Sequence, residues 1–236
     1  MKFVAKCNYQ KIFFKTMQEP KQLYPLVVVD IALFCADDNG LYVLLVKRAN
    51  QPARGLWSLP GGLLQPQQDQ SLEAAARRVL RQKIDVDVPY LSEVKSFSGP
   101  DRDPRGWSIG MLYFALLPRD HINAIVKDSV DEVAWVNVSQ PPARMAFDHR
   151  EQIAAAVELL RDKVERHVPP LHLMPFEFTL GSLQRTCEAI LGRALDKSVF
   201  RRRLKGSPDL IPLHVRNTGS AQRPSLMYRA SDGFHF

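Results

Sequence analysis

The sequence has few cysteines and no long apolar run, and each shortage excludes a class of protein. Its three cysteines, Cys7, Cys35 and Cys187, lie far apart and form no CxxC pair, which argues against a disulfide framework and against a zinc site. No stretch reaches the ~18 consecutive apolar residues of a membrane-spanning helix, and the first residues show no signal-peptide pattern. We therefore expect a cytoplasmic protein that contacts no membrane, with reduced thiols, two of them in the core.

The remaining composition is that of a folded protein with an uneven distribution of charge. The chain has 236 residues, 45% of them hydrophobic and 24% charged, which suits one or two globular domains without repeats or low-complexity tracts. The net charge is +7. From Leu171 onwards ten Lys/Arg face five Asp/Glu, so this last quarter carries +5. A concentrated basic segment indicates an anionic partner, nucleic acid first, although a solvated basic surface gives the same count.

Periodicity divides the chain into a front domain and a tail. We expect an N-terminal arm over residues 1–22, a front domain over 23–168 and a tail domain over 169–236, with a linker where Pro169, Pro170 and Pro175 cluster. The front domain is predicted as an α+β sandwich. Its predicted strands span 26–34, 41–46, 90–97, 107–117 and 133–138, and its predicted helices span 71–83, capped by Ser71, and 148–168.

The tail has the element order of a winged helix. A helix over 179–191 ends at Gly192, and Asp196 caps a second helix over 197–205. Two strands over 210–215 and 225–229 then form a hairpin with a polar, basic loop. Helix, turn, helix and hairpin in this order predict a winged helix-turn-helix domain.

The second tail helix is the candidate DNA-reading element. Phe200 and Leu204 are four residues apart and should face the core, with Val199 beside them. The opposite, basic face can enter the major groove, and the hairpin can touch phosphates or the minor groove. Thr179, at a helix start, can offer its hydroxyl to phosphate. The candidate contacts are Thr179, Lys197, Ser198, Arg201, Arg202, Lys205, Arg216 and Arg223. A merely solvated helix, or one that docks a protein, is the alternative.

The corner Leu59-Pro60-Gly61-Gly62, followed by a capped helix, resembles the Nudix hydrolase family. The motif of that family places glutamates on one helix to hold Mg²⁺ on a diphosphate substrate. When Gly62, Arg78, Leu80 and Val86 are matched to the motif, the glutamate positions hold Gln70, Val79, Gln82 and Lys83. A register shifted by one residue, which brings Asp69 and Arg81 to ligand positions, does not restore the site. We expect no metal ligands, no catalytic residues and no hydrolysis; a hydrolase with relocated ligands is the rival.

A protein that has lost its catalytic residues can still keep a pocket that binds a nucleotide. The segment Arg102-Asp103-Pro104-Arg105-Gly106-Trp107 places two guanidiniums in one turn, where they can chelate phosphate. Asp103 could orient one of them, and Phe97 or Trp107 could stack on a base or pack in the core. Arg48 ends a strand near the glycine corner. The candidate effector contacts are Arg48, Gly61, Gly62, Phe97, Arg102, Asp103, Arg105 and Trp107.

Three segments together resemble the Nudix-related transcriptional regulators of NAD metabolism, the NrtR group. They are the run from Ser96 to Ile109, the tetrapeptide Ala146-Phe147-Asp148-His149, and the basic tail. The resemblance implies a Nudix-like α/β/α sandwich with a mixed sheet, followed by the winged helix. It also implies a homodimer that binds operator DNA, represses genes of NAD synthesis or salvage, and needs no cofactor. Its effector would be ADP-ribose or a related NAD-derived nucleotide.

Two other functions stay open at this stage. An active Nudix pyrophosphatase with a nucleic-acid-binding appendage would release AMP or phosphate with Mg²⁺. A non-enzymatic adaptor would bind protein or RNA through its basic tail. For the ligand-controlled regulator, we expect the long helix before His167 to transmit ligand binding to the tail.

Overall fold

The computed structural model describes residues 24–118, 130–166, 170–217, 225–234 and 236. The predicted N-terminal arm over residues 1–22 lies outside these ranges.

A mixed sheet around one central strand forms the front domain. The central strand β1 (Leu26–Asp37) pairs in parallel with β6 (Ser108–Leu116) and antiparallel with β2 (Gly40–Arg48) and β4 (Gly61–Leu63). Asp38 and Asn39 form the tight turn between β1 and β2. The outer strands are β3 (Trp57–Ser58) and β7 (Val130–Asn137), both paired with β2, and β5 (Tyr90–Gly99), paired with β6.

One helix covers each face of the sheet. Successive side chains of a strand point to opposite faces. Ile31 and Leu33 therefore pack with α1 (Leu72–Ile84), whereas Ala32 and Phe34 pack with α2 (His149–Arg166). Ser71 caps α1 as predicted, because its hydroxyl accepts the Ala74 amide at 3.0 Å. The predicted α/β/α sandwich is confirmed.

The tail folds as the predicted winged helix. Thr179 and Asp196 cap α3 (Leu180–Leu191) and α4 (Lys197–Leu204), and Gly192 ends α3 in the left-handed conformation at φ 68°. The wing consists of β9 (Leu210–Asn217) and β10 (Ser225–Ala230). A short strand, β8 (Phe178–Thr179), which the sequence analysis did not predict, adds to β10.

The residues that follow Pro169, where we predicted a linker, are packed into the core. A 3₁₀ turn at Leu171–Leu173 lies there, and Leu171, Leu173 and Met174 are all less than 7% exposed. They belong to one hydrophobic cluster that also contains α2 side chains and Leu183 of α3. The tail therefore shares a continuous core with the front domain, because the apolar residues between the prolines pack inward.

Burial accounts for two of the three cysteines. Cys35 and Cys187 are buried, as expected of small core side chains, and burial raises the pKa of Cys187 to about 12. No helix in the part of the chain that the structure describes is long and apolar enough to cross a membrane.

Candidate functional site

A buried polar network lies where β1 meets the start of α2. Asp30, on the central strand, is 2% exposed and accepts a hydrogen bond from Gln152 Nε2 at 3.1 Å. Gln152 Nε2 also donates to Asp148 at 2.8 Å. His149 Nδ1 accepts the Leu59 amide at 2.8 Å, so its Nε2 carries the proton of the neutral ring and faces Asp30 Oδ1 at 3.6 Å. Burial lowers the pKa of His149; repulsion from Arg102 and Arg48 adds to this, against the attraction of Asp30 and Asp148.

The guanidinium of Arg102 is part of this network. Its Nε and Nη2 donate to the two carboxylate oxygens of Asp148 at 2.9 and 3.0 Å, and its Nη1 donates to Ser108 at 3.1 Å. The Arg102 side chain is 8% exposed. The expectation that Arg102 and Arg105 jointly chelate a phosphate is therefore corrected, because Asp148 already occupies the bidentate edge of Arg102.

Arg105 takes a different position in the same turn. Its side chain is 38% exposed, and its guanidinium pairs with the buried carboxylate of Asp103 at 2.6 Å. Burial alone would raise the pKa of Asp103, but the hydrogen bonds and charge of Arg105 outweigh it and lower that pKa. Asp103 thus orients Arg105, as the sequence analysis proposed for one of the two arginines.

A cavity of about 170 Å³ opens beside these groups. Arg48 enters it with its guanidinium 5.0 Å from the ring centre of Phe147, and Lys83 enters from α1. Burial lowers the pKa of Lys83, and the charge of Arg48 lowers it further, against the attraction of Asp30. An anion would relieve the repulsion between these two cations, so the cavity suits a negatively charged ligand.

Six of the eight predicted effector contacts line this cavity, and two do not. Phe97 instead packs on the hydrophobic core with Lys95 4.9 Å from its ring centre, and Trp107 is 49% exposed on the surface. Neither ring borders the cavity: Phe97 lies within β5, and Trp107 lies in the bend that precedes β6. The lining residues are Arg48, Gly61, Gly62, Arg102, Asp103 and Arg105.

Several side chains of the site were missed by the sequence analysis. Asp30 had a visible signal, since it is the one charge within the apolar run from Leu26 to Phe34. Asp148 and His149 were noted only within a resemblance, and Phe147 lines the cavity with a left-handed φ of 52°. Nothing local marks Gln152, because its role depends on contact with a strand 122 residues earlier.

The donor set at the Nudix helix does not fit Mg²⁺. Val79 is buried against the Gly62 backbone, and Lys83 brings a positive charge into the cavity. Asp69 is held by Arg78 at 2.7 Å. Within the described residues no group of three His, Cys, Asp or Glu side chains could hold a metal ion.

The second candidate surface is the basic face of α4. Phe200 and Leu204 are buried as predicted. The predicted contacts Lys197, Ser198, Arg201, Arg202 and Lys205 are all exposed. Arg201, Arg202 and Lys205 border a groove of about 580 Å³ that runs between α4 and the wing, where Leu226 and Tyr228 form the other wall.

Two expectations for this surface are corrected, and two lie beyond the structure. Val199 is 52% exposed and does not pack in the core. The Thr179 hydroxyl accepts the Ser182 amide at 3.0 Å and donates to Ser182 Oγ at 3.3 Å, so the capping box uses both its acceptor and its donor. Arg216 belongs to β9, but its side chain is not described, and Arg223 lies outside the described residues.

Comparison with known proteins agrees with this two-part architecture. The NUDIX domain model matches residues 25–156, and the NrtR DNA-binding winged helix domain model matches residues 170–230. The chain is 37% identical to the ADPR responsive transcriptional repressor NtrR of Acinetobacter baylyi over 93% of this chain and 88% of that protein.

Two solved structures are also similar. Shewanella oneidensis NrtR in complex with a 27mer DNA shares 35% identity at a TM-score of 0.76, over 87% of this chain and 93% of that chain. The NUDIX domain of the same NrtR in complex with ADP ribose shares 39% identity at a TM-score of 0.54, over 60% of this chain and 93% of that chain. The chain therefore belongs to the NrtR family, in which a NUDIX domain precedes a DNA-binding winged helix.

Proposed function

We propose that this protein is a transcriptional repressor whose winged helix binds operator DNA under the control of ADP-ribose, or a related NAD-derived nucleotide, held in the NUDIX domain. The observation that carries the proposal is one chain with an exposed basic helix at one end and a buried cationic cavity at the other. The relatives named above, which are ADPR-responsive or were solved with DNA or ADP ribose, support both halves.

The cavity fits the charged middle of such a nucleotide. Around it, Arg48, Lys83 and Arg105 supply positive charge, and Asp103 holds Arg105 in place. Its volume is below the ~300–1,000 Å³ of typical small-molecule sites. We infer that the diphosphate enters the cavity and that the two sugar ends extend across its rim.

We also propose that the NUDIX domain does not hydrolyse this ligand. Valine cannot ligate a metal ion, and a lysine at a ligand position repels one. Incubation of the full-length protein with ADP-ribose and Mg²⁺ or Mn²⁺ should leave the nucleotide intact by chromatography. Catalytic release of AMP would instead establish the pyrophosphatase.

Helix α2 is the element that we propose couples the two sites. Asp148 directly precedes it and Gln152 lies in its first turns, both within the buried network. At its other end, Arg161 donates to the Ile190 carbonyl at 2.8 Å, and Glu165 pairs with Arg193 at 2.6 Å. Its 18 residues span about 27 Å at 1.5 Å per residue. Because α2 is a rigid helix, a shift of the network on ligand binding would move the residues of α2 that contact α3.

The remaining parts of the proposal concern the assembly and its target. A homodimer would place two winged helices on a palindromic operator. The repressed genes would be those of NAD synthesis or salvage, because the effector derives from NAD. A protein that contacts the chromosome in this way would lie in the cytoplasm.

Selection of binding sites from a random pool of duplex DNA tests this proposal directly. The full-length protein should enrich a palindromic sequence, and ADP-ribose should change its affinity. Enrichment of no duplex sequence would overturn the regulator and favour an adaptor for protein or RNA.

A further inference from the structure

One apolar side chain stands among the polar and basic ones on the exposed surface of α4. Val199 is 52% exposed, although the sequence pattern predicts it in the core. Phe200 and Leu204 fix the inward face of the helix by their burial. At 3.6 residues per turn, Val199 then points outward.

Helix geometry places Val199 beside polar groups that suit DNA. Ser198 and Arg202 are one turn apart, and Val199 precedes Arg202 by three residues, so the three share one face. Arg203, on the flank of the helix, instead donates to the Glu165 carbonyl at 2.7 Å and faces α2. The outward face of α4 is therefore a hydroxyl, a methyl-bearing side chain and a guanidinium.

This combination matches the edge of a base pair in the major groove. Thymine presents a 5-methyl group there, which apolar side chains contact, whereas arginine pairs with guanine or phosphate. Arg202 lies one turn from Val199, and Lys197 and Arg201 add positive charge elsewhere on the same helix. This charge makes DNA the partner that α4 suits, because the core of a protein interface is depleted in charged residues.

We propose that Val199 is a specificity-determining residue that reads the 5-methyl group of one thymine in each operator half-site. The inference rests on the proposed function, since it requires α4 to lie in the major groove. This contact identifies one base of the half-site as thymine by its methyl group, which hydrogen bonds do not recognise.

Deoxyuridine, which differs from thymidine only by this methyl group, provides the test. The probe is the duplex that the full-length protein itself selects, with each thymine replaced in turn by uracil. Dissociation constants are measured by fluorescence anisotropy at fixed salt. Loss of one methyl contact should weaken binding about fourfold, and replacement in both half-sites about 15-fold, as expected for a buried methyl group.

Matched variants separate the side chain from DNA shape. Val199→Ala should bind thymine and uracil duplexes with equal affinity, whereas an effect of uracil on DNA shape would persist in this variant. Phe176→Ala changes a 74% exposed apolar residue outside α4 and should keep the fourfold preference. Thermal unfolding of both variants checks that the fold is retained.

The outcomes distinguish a failure of the role of Val199 from a failure of the proposed function. If the protein binds its duplex tightly but no thymine position responds to uracil, the role of Val199 is refuted and the regulator stands. The same holds if Val199→Ala still prefers thymine fourfold. If the protein selects no duplex at all, both the proposed function and the role of Val199 are refuted.

Discussion

At the scale of single residues, the buried carboxylate of Asp30 holds much of the site in place. Its carboxylate contacts Gln152 and faces His149 and Arg102 at 3.6 and 3.7 Å. It also lies against the backbone of Gly61, where an added Cβ would be 2.1 Å from Asp30 Oδ1. The first glycine of the Nudix-like corner, Gly61, is thus required by the packing of a buried carboxylate.

Gly61→Ala should therefore displace Asp30 and lower the free energy of unfolding by roughly 2–4 kcal/mol, the range of substitutions that disrupt a buried polar network. Urea unfolding measures this effect. Gly181→Ala is the matched control: it adds a Cβ 3.6 Å from its nearest neighbour within α3 and should change stability by less than about 1 kcal/mol. Equal stability of the two variants would contradict the packing described for Asp30.

His149 should make the free energy of unfolding depend on pH, in a higher pH range than Asp103 and Asp148 do. Its folded pKa lies below its ordinary value, so between that pKa and about 6.5 only the unfolded chain takes up the proton. Stability should then fall as the pH falls from 7.5 to 5.5, with a contribution from His149 of up to about 1.4 kcal/mol per pH unit. The lowered pKa values of Asp103 and Asp148 act only at lower pH, near and below about 4.

His149→Asn keeps an acceptor for the Leu59 amide but cannot titrate. Urea midpoints of the two proteins across this pH range isolate the contribution of His149 from those of the other histidines. A variant whose stability falls with pH as steeply as that of the parent would show that His149 takes up its proton equally in the folded and unfolded states, which would contradict its lowered pKa.

At the scale of elements, sequence patterns predicted what local periodicity encodes. The long strands, both tail helices, and the caps at Gly192 and Asp196 follow from alternation, spacing and capping residues, and all were found. The N-cap at Thr179 was not predicted. Strand β8 was missed because its two residues are a strand only through pairing with β10. The prolines predicted a break in regular structure at the linker, but they could not predict the burial of Leu171 and Met174, which depends on contact with distant α2 and α3.

The same limit applies to the candidate site. The arginine turn and the glycine corner were predicted because each is a compact segment. Asp30, Gln152 and His149 meet only in the folded chain, so no local spacing joins them. Phe97 and Trp107 were expected at the pocket because aromatic residues suit a base, but Phe97 packs on the core and Trp107 lies on the surface.

Helix α4 allows a test of its own. Arg202→Ala should weaken operator binding and lower the slope of log affinity against log salt concentration by about one, because one phosphate or base contact is lost. ADP-ribose binding should be unchanged. Arg166→Ala removes the same charge from a 72% exposed side chain on α2 and should leave the slope as it is. Equal loss of DNA and ADP-ribose binding in Arg202→Ala would contradict the separation of the two sites.

At the scale of the whole molecule, the two parts share one core. Side chains of β1, α2, the 3₁₀ turn and α3 form a continuous hydrophobic cluster, and Phe236 packs on Tyr90 and Phe114 of the front sheet. Ion pairs such as Asp38 with Arg185 also join the units. The tail is therefore fixed to the domain whose ligand should control it.

This arrangement predicts one cooperative unfolding transition. All three tryptophans, Trp57, Trp107 and Trp135, lie in the front domain, so their fluorescence reports that domain alone, whereas far-ultraviolet circular dichroism reports both. The two urea curves should have the same midpoint. A circular dichroism curve with a separate tail transition would contradict the shared core.

Nucleotide binding in the front cavity should change the affinity of the tail for DNA. The most direct measurement is the dissociation constant of the selected operator duplex by fluorescence anisotropy at fixed salt, with and without saturating ADP-ribose. We expect a change of about 5–150-fold, typical of allosteric coupling, and the same factor in the affinity for ADP-ribose when operator is added. An operator dissociation constant that saturating ADP-ribose leaves unchanged would contradict this coupling.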